Sequence, residues 1–260
     1  MYFFGGGFII FFILCFVFCL GFFGCGLDNI LILPSPEKID NRISRDSVAF
    51  FLPAGYFSDQ AAEKLRGFDI YYKFYPEGSN YHISSFRKSV EKDFEALKGV
   101  FDNVSEFNNR GFYKINLNPT AYSGKPVFKL NKEWVDSKLP LYFEINFGEL
   151  RKDVPGEAFI IVRNGNTSSS PVILEKQNIY RSYIDKGEYI GFSKSIKKSN
   201  LLDKEKRPID LKHINDDFFT KDISPKYNLA IFVMGVGSIV DDAYSVLIDL
   251  GDLSGFSLSS

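Results

Sequence analysis

The 260-residue chain has only two histidines, one tryptophan and three cysteines, and its 31 basic and 32 acidic side chains leave a net charge of −1. A nucleic-acid-binding protein that acts by counterion release usually carries a basic excess, which this chain lacks. His82 and His213 lie 131 positions apart (213 − 82), so they offer little material for histidine-based catalysis or metal binding. The apolar fraction of 45% is that of an ordinary globular protein.

Charge is also missing from the N-terminal stretch, where the first charged side chain is Asp28. The apolar core of this stretch, residues 8–23, has 16 residues (23 − 8 + 1). A bilayer-spanning helix needs roughly 20 residues. Such a run is typical of a secretory signal peptide or of a membrane-spanning segment. We therefore expect residues 1–24 to act as a signal peptide.

The cysteines all lie in or directly after this run, at Cys15, Cys19 and Cys25. The 235 residues that follow (260 − 25) contain none, which excludes a disulfide framework and a cysteine nucleophile there. Residues 22–25, Phe-Phe-Gly-Cys, resemble the lipobox of bacterial lipoproteins in the relaxed form of spirochaetal members. Gly24 matches the small residue and Cys25 the acylated one. The bulky residues at 22 and 23 and the absence of an N-terminal lysine or arginine depart from the common pattern.

This resemblance implies cleavage before Cys25 and a lipid, such as palmitate, on that cysteine. Two or more acyl chains hold a protein stably on a bilayer. We therefore expect a lipoprotein of the cell envelope, on the outer membrane and cell surface or on a periplasmic face. An uncleaved membrane anchor or an ordinary signal peptide is the alternative, and it would place the same domain on the same side of the membrane.

The part after the leader divides into a tether and a β-rich body. Residues 25–46 contain Pro34 and Pro36, which favour an extended chain, and are predicted to be the lipidated N-terminus and tether. Residues 47–123 are predicted to be a β module and residues 124–260 a β-sandwich module. A single decorated sandwich is the other arrangement that the sequence allows.

Two strands show a clear period of two. Phe68, Ile70, Tyr72 and Phe74 share one face of residues 67–75, and residues 141–147 place an apolar side chain at every second position. The tyrosine-rich strand at residues 67–75 is similar to a strand of fibronectin type III-like domains. Further strands are predicted at residues 47–52, 111–117, 126–130, 158–163, 171–175, 179–184, 227–236 and 244–250.

Helix signals are few. Residues 84–102 carry an apolar stripe at spacings of three and four, which predicts one amphipathic helix, and residues 58–65 predict a short one. The predicted fold is therefore mainly β, an antiparallel β-sandwich of the immunoglobulin or fibronectin III kind with one inserted amphipathic helix.

The sequence contains no catalytic motif, and we predict no catalytic, cofactor-binding or metal-binding residue. Three weaker features remain open. Aspartates at 216, 217, 222, 241, 242, 249 and 252 could supply oxygen ligands to calcium, although acidic turns are usually solvated. The basic run at residues 194–207 could contact anionic lipid, but acidic residues interrupt it. Several aromatics could form a binding surface, although packing is the commoner role, namely Tyr71, Tyr75, Trp134, Tyr180 and Tyr183.

These observations favour a membrane-anchored envelope lipoprotein with a binding or structural role, rather than an enzyme. Its expected partners are the membrane, through the lipid anchor, and a protein or carbohydrate of unknown identity, but not nucleic acid. One alternative is a carbohydrate-active or other envelope enzyme, which would need two carboxylates in one cleft. The other is a surface adhesin for a host or matrix partner, which would need an exposed aromatic patch.

Overall fold

The fold is given by a computed structural model, which describes residues 33, 35–40, 45–54, 56, 64–76, 112–148, 157–165, 172–182, 184–185, 187–189, 191–192, 227–238, 242–245 and 247–256. These residues all belong to one compact unit, Ile32–Ser260. They are mainly β-structure and form two antiparallel sheets that pack against each other. This arrangement confirms the β-sandwich predicted from the sequence.

The described residues form thirteen strands and one short helix. The helix α1 spans Lys132–Asp136. In chain order the strands are β1 (Glu37–Ile39), β2 (Ser47–Leu52), β3 (Leu65–Pro76), β4 (Tyr113–Lys114), β5 (Phe128–Lys129), β6 (Leu141–Asn146), β7 (Phe159–Asn164), β8 (Val172–Asn178), β9 (Ile184–Asp185), β10 (Glu188–Tyr189), β11 (Tyr227–Ser238), β12 (Asp242–Tyr244) and β13 (Ile248–Phe256).

The first sheet has the antiparallel order β1-β2-β6-β7-β8. Its central strand β6 lies between β2 and β7, so that Phe143 is opposite Phe50 on one side and Val162 on the other. These three side chains are at most 2% exposed and belong to the core. The period of two predicted for residues 141–147 is therefore confirmed, because alternate side chains of a strand point to the same face.

The second sheet is built around two twelve-residue strands, β3 and β11, which pair in antiparallel fashion along almost their whole length. The other edge of β11 pairs first with β13 and then with β12. The other edge of β3 pairs with β4 and with β5. A separate two-stranded ladder joins β9 and β10.

A cluster of aromatic rings lies between the two sheets. Phe50 and Phe143 of the first sheet stack with ring centroids 4.6 Å apart and planes 3° apart. Phe68 of the second sheet meets both of them edge-on, at 5.0 Å and 5.3 Å. Such pairs add about 0.5–1.5 kcal/mol each to the burial of apolar area. These rings therefore tie the two sheets together.

The face of β3 that points away from this core is buried as well. Asp69, Tyr71 and Lys73 have no exposed surface, and Phe232 on the neighbouring strand is 1% exposed. The Lys73 ammonium lies 5.8 Å from the ring centroid of Phe112, a cation–π arrangement. The predicted core face, with Phe68 among its members, is confirmed, but the burial of the opposite face was not indicated by its polar residues.

A buried arginine closes one end of the core. Arg181 has no exposed surface, its Nη2 donates to the Phe192 carbonyl oxygen at 3.0 Å, and its guanidinium lies 4.7 Å from the Phe74 ring centroid. Nearby, the Ser182 backbone N–H donates to the Tyr72 hydroxyl at 3.2 Å. Burial raises the pKa of Tyr72, and Arg181 and this hydrogen bond partly oppose that rise. Arg181 is thus enclosed within the core.

Strand β8 forms one edge of the first sheet, and within the described residues it pairs only with β7. Val172 and Ile173 at its start are 66% and 57% exposed. The pairing slips by one residue after Val162, so that Leu174 is the extra residue of a β-bulge. The edge is thus open and apolar at one end.

Several predicted segments differ from the structure or lie outside it. The helix predicted at residues 84–102, residues 58–63 of the helix predicted at 58–65, and the leader up to residue 32 lie outside the described residues. Leu65 begins strand β3 and does not end a helix. Within the predicted tether, Glu37–Ile39 is the edge strand β1 rather than free chain. The final strand is β13, Ile248–Phe256, and not residues 244–250, because Gly251, Asp252 and Leu253 continue the pairing with β11.

Both sheets combine strands from residues 47–123 with strands from residues 124–260. In the first sheet β2 pairs with β6, and in the second β3 pairs with β11. The boundary between residues 123 and 124 therefore lies inside the compact unit Ile32–Ser260.

Candidate functional site

Described residues form a groove of about 710 Å³ where β3 begins, beside β5 and α1. A volume of this size is ordinary for a small-molecule site, for which roughly 300–1,000 Å³ is usual. The groove is lined by four basic, four apolar and one acidic residue: Arg66, Lys125, Lys129 and Lys132; Leu65, Pro126, Leu130 and Val135; and Asp136.

The close approach of β5 to β3 builds one wall of the groove. Gly67 pairs with Lys129, and the Leu130 backbone N–H donates to the Arg66 carbonyl oxygen at 2.9 Å. A Cβ atom on Gly67 would lie 1.9 Å from the carbonyl oxygen of Phe128, so only glycine fits at this position. Arg66 and Lys129 thus lie on neighbouring strands, although they are 63 positions apart in the sequence (129 − 66).

The buried carboxylate of Asp69 stabilises the same wall of the groove. Asp69 has no exposed surface, and its Oδ1 accepts a hydrogen bond from the Val127 backbone N–H at 2.9 Å. Its Oδ2 accepts from the Lys114 ammonium at 2.8 Å. Burial, and then the charge of Asp69, raise the pKa of Tyr71. Asp69 therefore fixes the segment that carries Pro126 and Lys129, while its charge is compensated by Lys114.

The opposite wall comes from α1. The Asn131 side chain accepts a hydrogen bond from the Glu133 backbone N–H at 2.9 Å, which caps the first turn. Trp134 is partly buried and packs against the core. The same short helix presents Val135 and Asp136 to the groove. The only tryptophan of the chain is therefore adjacent in sequence to the groove-lining Val135.

The groove is strongly basic. Its four cations and one carboxylate give a net charge of +3 (4 − 1). Lys132 and Asp136 form an exposed ion pair at 2.6 Å. Arg66 and Lys129 are exposed, and neither forms an ion pair with another described residue. The same groove is thus lined by cationic and by apolar side chains, a combination suited to an anion that also has apolar surface.

The described lining of the groove includes no histidine, cysteine or serine. It contains a single carboxylate, Asp136, whereas a glycosidase mechanism uses two across one substrate. No three metal-binding side chains (His, Cys, Asp or Glu) come together anywhere in the described part of the chain.

The residues singled out in the sequence lie elsewhere. Tyr71 is fully buried, Tyr180 is half-buried in a bridge with Asn116, and Trp134 packs against the core. Tyr71 thus has the packing role expected as the commoner one. The side chains of Tyr75 and Tyr183 lie outside the described residues.

Other sequence candidates fall largely beyond what the structure describes. Cys25, both histidines, the basic run at residues 194–207 and the aspartates at 216, 217, 222 and 241 are all outside it. Asp249 and Asp252 are half-exposed positions of β13. Among the described helices, none has the length and apolar character needed to cross a bilayer.

The sequence analysis missed the four groove cations because they are spread over three separate segments. Arg66 lies at the start of β3, Lys125 and Lys129 lie around β5, and Lys132 begins α1. Only the pairing of β3 with β5 brings them together, and the single local signal for that contact is Gly67 at the head of an otherwise aromatic strand.

Comparison with known proteins adds no assignment to this geometry. The chain matches no protein family, and no curated protein or solved structure is significantly similar to it. The functional argument therefore depends on the leader and on the groove.

Proposed function

We propose that the chain is a lipid-anchored envelope protein whose β-sandwich serves as a binding module and catalyses no reaction itself. The leader supports the anchoring part of this proposal. It has no charged side chain before Asp28, and it ends in the lipobox-like sequence at residues 22–25. Cys25 would be the N-terminal residue after cleavage, and its acyl chains would hold the domain at the membrane.

The binding part of the proposal is carried by one observation, the basic groove beside β3, β5 and α1. A net charge of +3 around a cavity of about 710 Å³ contrasts with the net charge of −1 for the whole chain. Cations concentrated at one concave site repel one another, and an anionic partner relieves that repulsion. The same near-neutral total charge argues against nucleic acid as the partner.

The anchoring is tested by labelling growing cells with palmitate. We expect the wild-type chain to incorporate label and Cys25→Ala to incorporate none, because the acylated sulfur is removed. Cys19→Ala is the matched control, since it changes a cysteine six positions earlier (25 − 19) inside the hydrophobic run. It should leave labelling unchanged. Persistent label in Cys25→Ala would contradict the lipoprotein proposal.

The envelope location is tested separately by fractionation and by protease treatment of intact cells. We expect the protein in the membrane fraction. Digestion in unbroken cells would place the binding domain on the cell surface, and protection until lysis would place it in the periplasm. Recovery in the soluble cytosolic fraction would be inconsistent with the proposal.

A further inference from the structure

We propose that the basic groove binds a phosphate-bearing amphiphile, that is, a phosphate ester joined to an apolar body. This inference deepens the proposed binding role and rests on it. Its basis is that cationic and apolar side chains line the same cavity.

The charge of the groove favours phosphate over a carboxylate. Phosphate monoesters carry up to two negative charges near neutral pH and three acceptor oxygens. Arg66 and Lys129 form no ion pair with another described residue, and a phosphate dianion matches both of their charges where one carboxylate matches only one. Arg66 can donate two parallel hydrogen bonds to a phosphate, and Lys129 can add a point charge beside it.

The apolar lining favours a ligand that has apolar groups over inorganic phosphate alone. Leu65, Leu130 and Val135 line the same cavity as the cations, and Leu65 also belongs to the hydrophobic core. A cavity of about 710 Å³ exceeds what one phosphate ion occupies. The remaining space can hold a short acyl chain or a ring, whose burial adds to the affinity.

Asp136 provides a second test, in which a variant should bind phosphate more tightly than the wild type. It lines the groove and pairs with Lys132 at 2.6 Å, so it repels an incoming anion and competes for one of the four cations. Asp136→Asn should therefore strengthen phosphate binding by about fivefold, because it removes one negative charge a few ångströms from the ligand. A purely structural role of this residue would produce no gain.

The experiment follows Trp134 fluorescence of the full chain in a neutral detergent during titration with four probes. These are inorganic phosphate, glycerol 3-phosphate, dihexanoyl phosphatidic acid and dihexanoyl phosphatidylcholine. We expect saturable binding of the two phosphate monoesters and none of the zwitterionic lipid. Dihexanoyl phosphatidic acid should bind more tightly than glycerol 3-phosphate, because the apolar lining then contributes to the affinity. Equal binding of the two probes would overturn the amphiphilic part of the proposal.

Variants decide whether the groove is responsible. Arg66→Glu/Lys129→Glu should weaken phosphate-monoester binding by more than about tenfold, since two cations become anions at exposed positions. Lys38→Glu on β1, which does not line the groove, is the matched control and should bind as the wild type does. If the double variant does not fold, Arg66→Gln alone should still weaken binding about threefold.

The proposal is overturned if neither phosphate monoester binds saturably, or if folded groove variants bind as tightly as the wild type. These outcomes are distinct from failure of the anchoring proposal. Loss of the Cys25 assignment would leave phosphate binding in detergent intact, and loss of phosphate binding would leave palmitate labelling intact.

Discussion

Replacing Gly67 with alanine tests whether the close approach of β3 and β5 builds both the sandwich edge and the groove. The new Cβ atom would lie 1.9 Å from the Phe128 carbonyl oxygen and 2.8 Å from Pro126 Cγ. Ordinary contacts begin at 3.4 Å, so the β5 backbone would have to move by about 1.5 Å (3.4 − 1.9). The main obstacle is backbone, which is part of a hydrogen-bonded ladder and moves only by breaking it.

The expected cost has two contributions. Overpacking of a well-packed site costs about 1–3 kcal/mol. Moving β5 also disturbs its ladder to β3 and the bond from Val127 to Asp69, each hydrogen bond contributing about 1 kcal/mol net. We therefore expect Gly67→Ala to lower the free energy of unfolding by about 2–5 kcal/mol. It should also weaken phosphate binding, because Lys129 moves with β5.

The assay is urea unfolding of the full chain in a neutral detergent, followed by Trp134 fluorescence and by circular dichroism. Gly191→Ala is the matched control, because a Cβ there would have no heavy atom within 4 Å and its φ does not need glycine. We expect the control to change the free energy of unfolding by about 0.5 kcal/mol or less. Equal unfolding midpoints for the two variants would refute the reasoning.

Two further predictions concern buried polar groups. Asp69→Asn keeps an acceptor for Val127 but leaves the Lys114 charge, 12% exposed, without its counter-ion, so it should cost about 3 kcal/mol or more in urea unfolding. The double variant with Lys114→Met should recover part of that loss, and strictly additive costs would argue against the pair. Burial raises the pKa of Tyr56, Tyr71 and Tyr72 above the usual value near 10, so folding favours their neutral forms. Their contribution to stability is complete below about pH 10 and is lost above it, as the unfolded chain ionises. Exposed tyrosines such as Tyr122 should ionise first with the circular dichroism signal intact, and a further rise in phenolate absorbance should accompany the loss of that signal. Complete ionisation of the tyrosines with the signal intact would count against this account.

The core strands were predictable because their pattern is local. Alternate apolar residues in β3 and β6 indicate a strand and one buried face, and Phe68 and Phe143 meet in the core as that pattern requires. The burial of Asp69 was not predictable, since its partner Lys114 lies 45 positions later and approaches only after β4 has paired with β3. A period of two shows which side chains share a face of the strand, but it does not show what packs against the second face.

The ends of the sheets were harder still. The apolar run that predicted the last strand stops at Leu250, yet β13 continues to Phe256 because Leu253 and Phe256 have partners on β11. The groove depends on long-range pairing in the same way. Its cations come from segments that look like ordinary solvated positions, and no local periodicity marks them as one site.

The open end of β8 has a practical consequence for handling the protein. A strand edge that pairs with no further described strand, and that has exposed valine and isoleucine, is a template on which a second copy can add its own strand. Further along, Lys176 places its ammonium 4.0 Å from the Phe159 ring centroid, so a cation stands next to that edge. If two copies align at this edge, their Lys176 side chains come close and repel each other. This repulsion is screened least at low salt concentration. Concentrating the protein at low ionic strength therefore disfavours sheet extension and the aggregates that it produces.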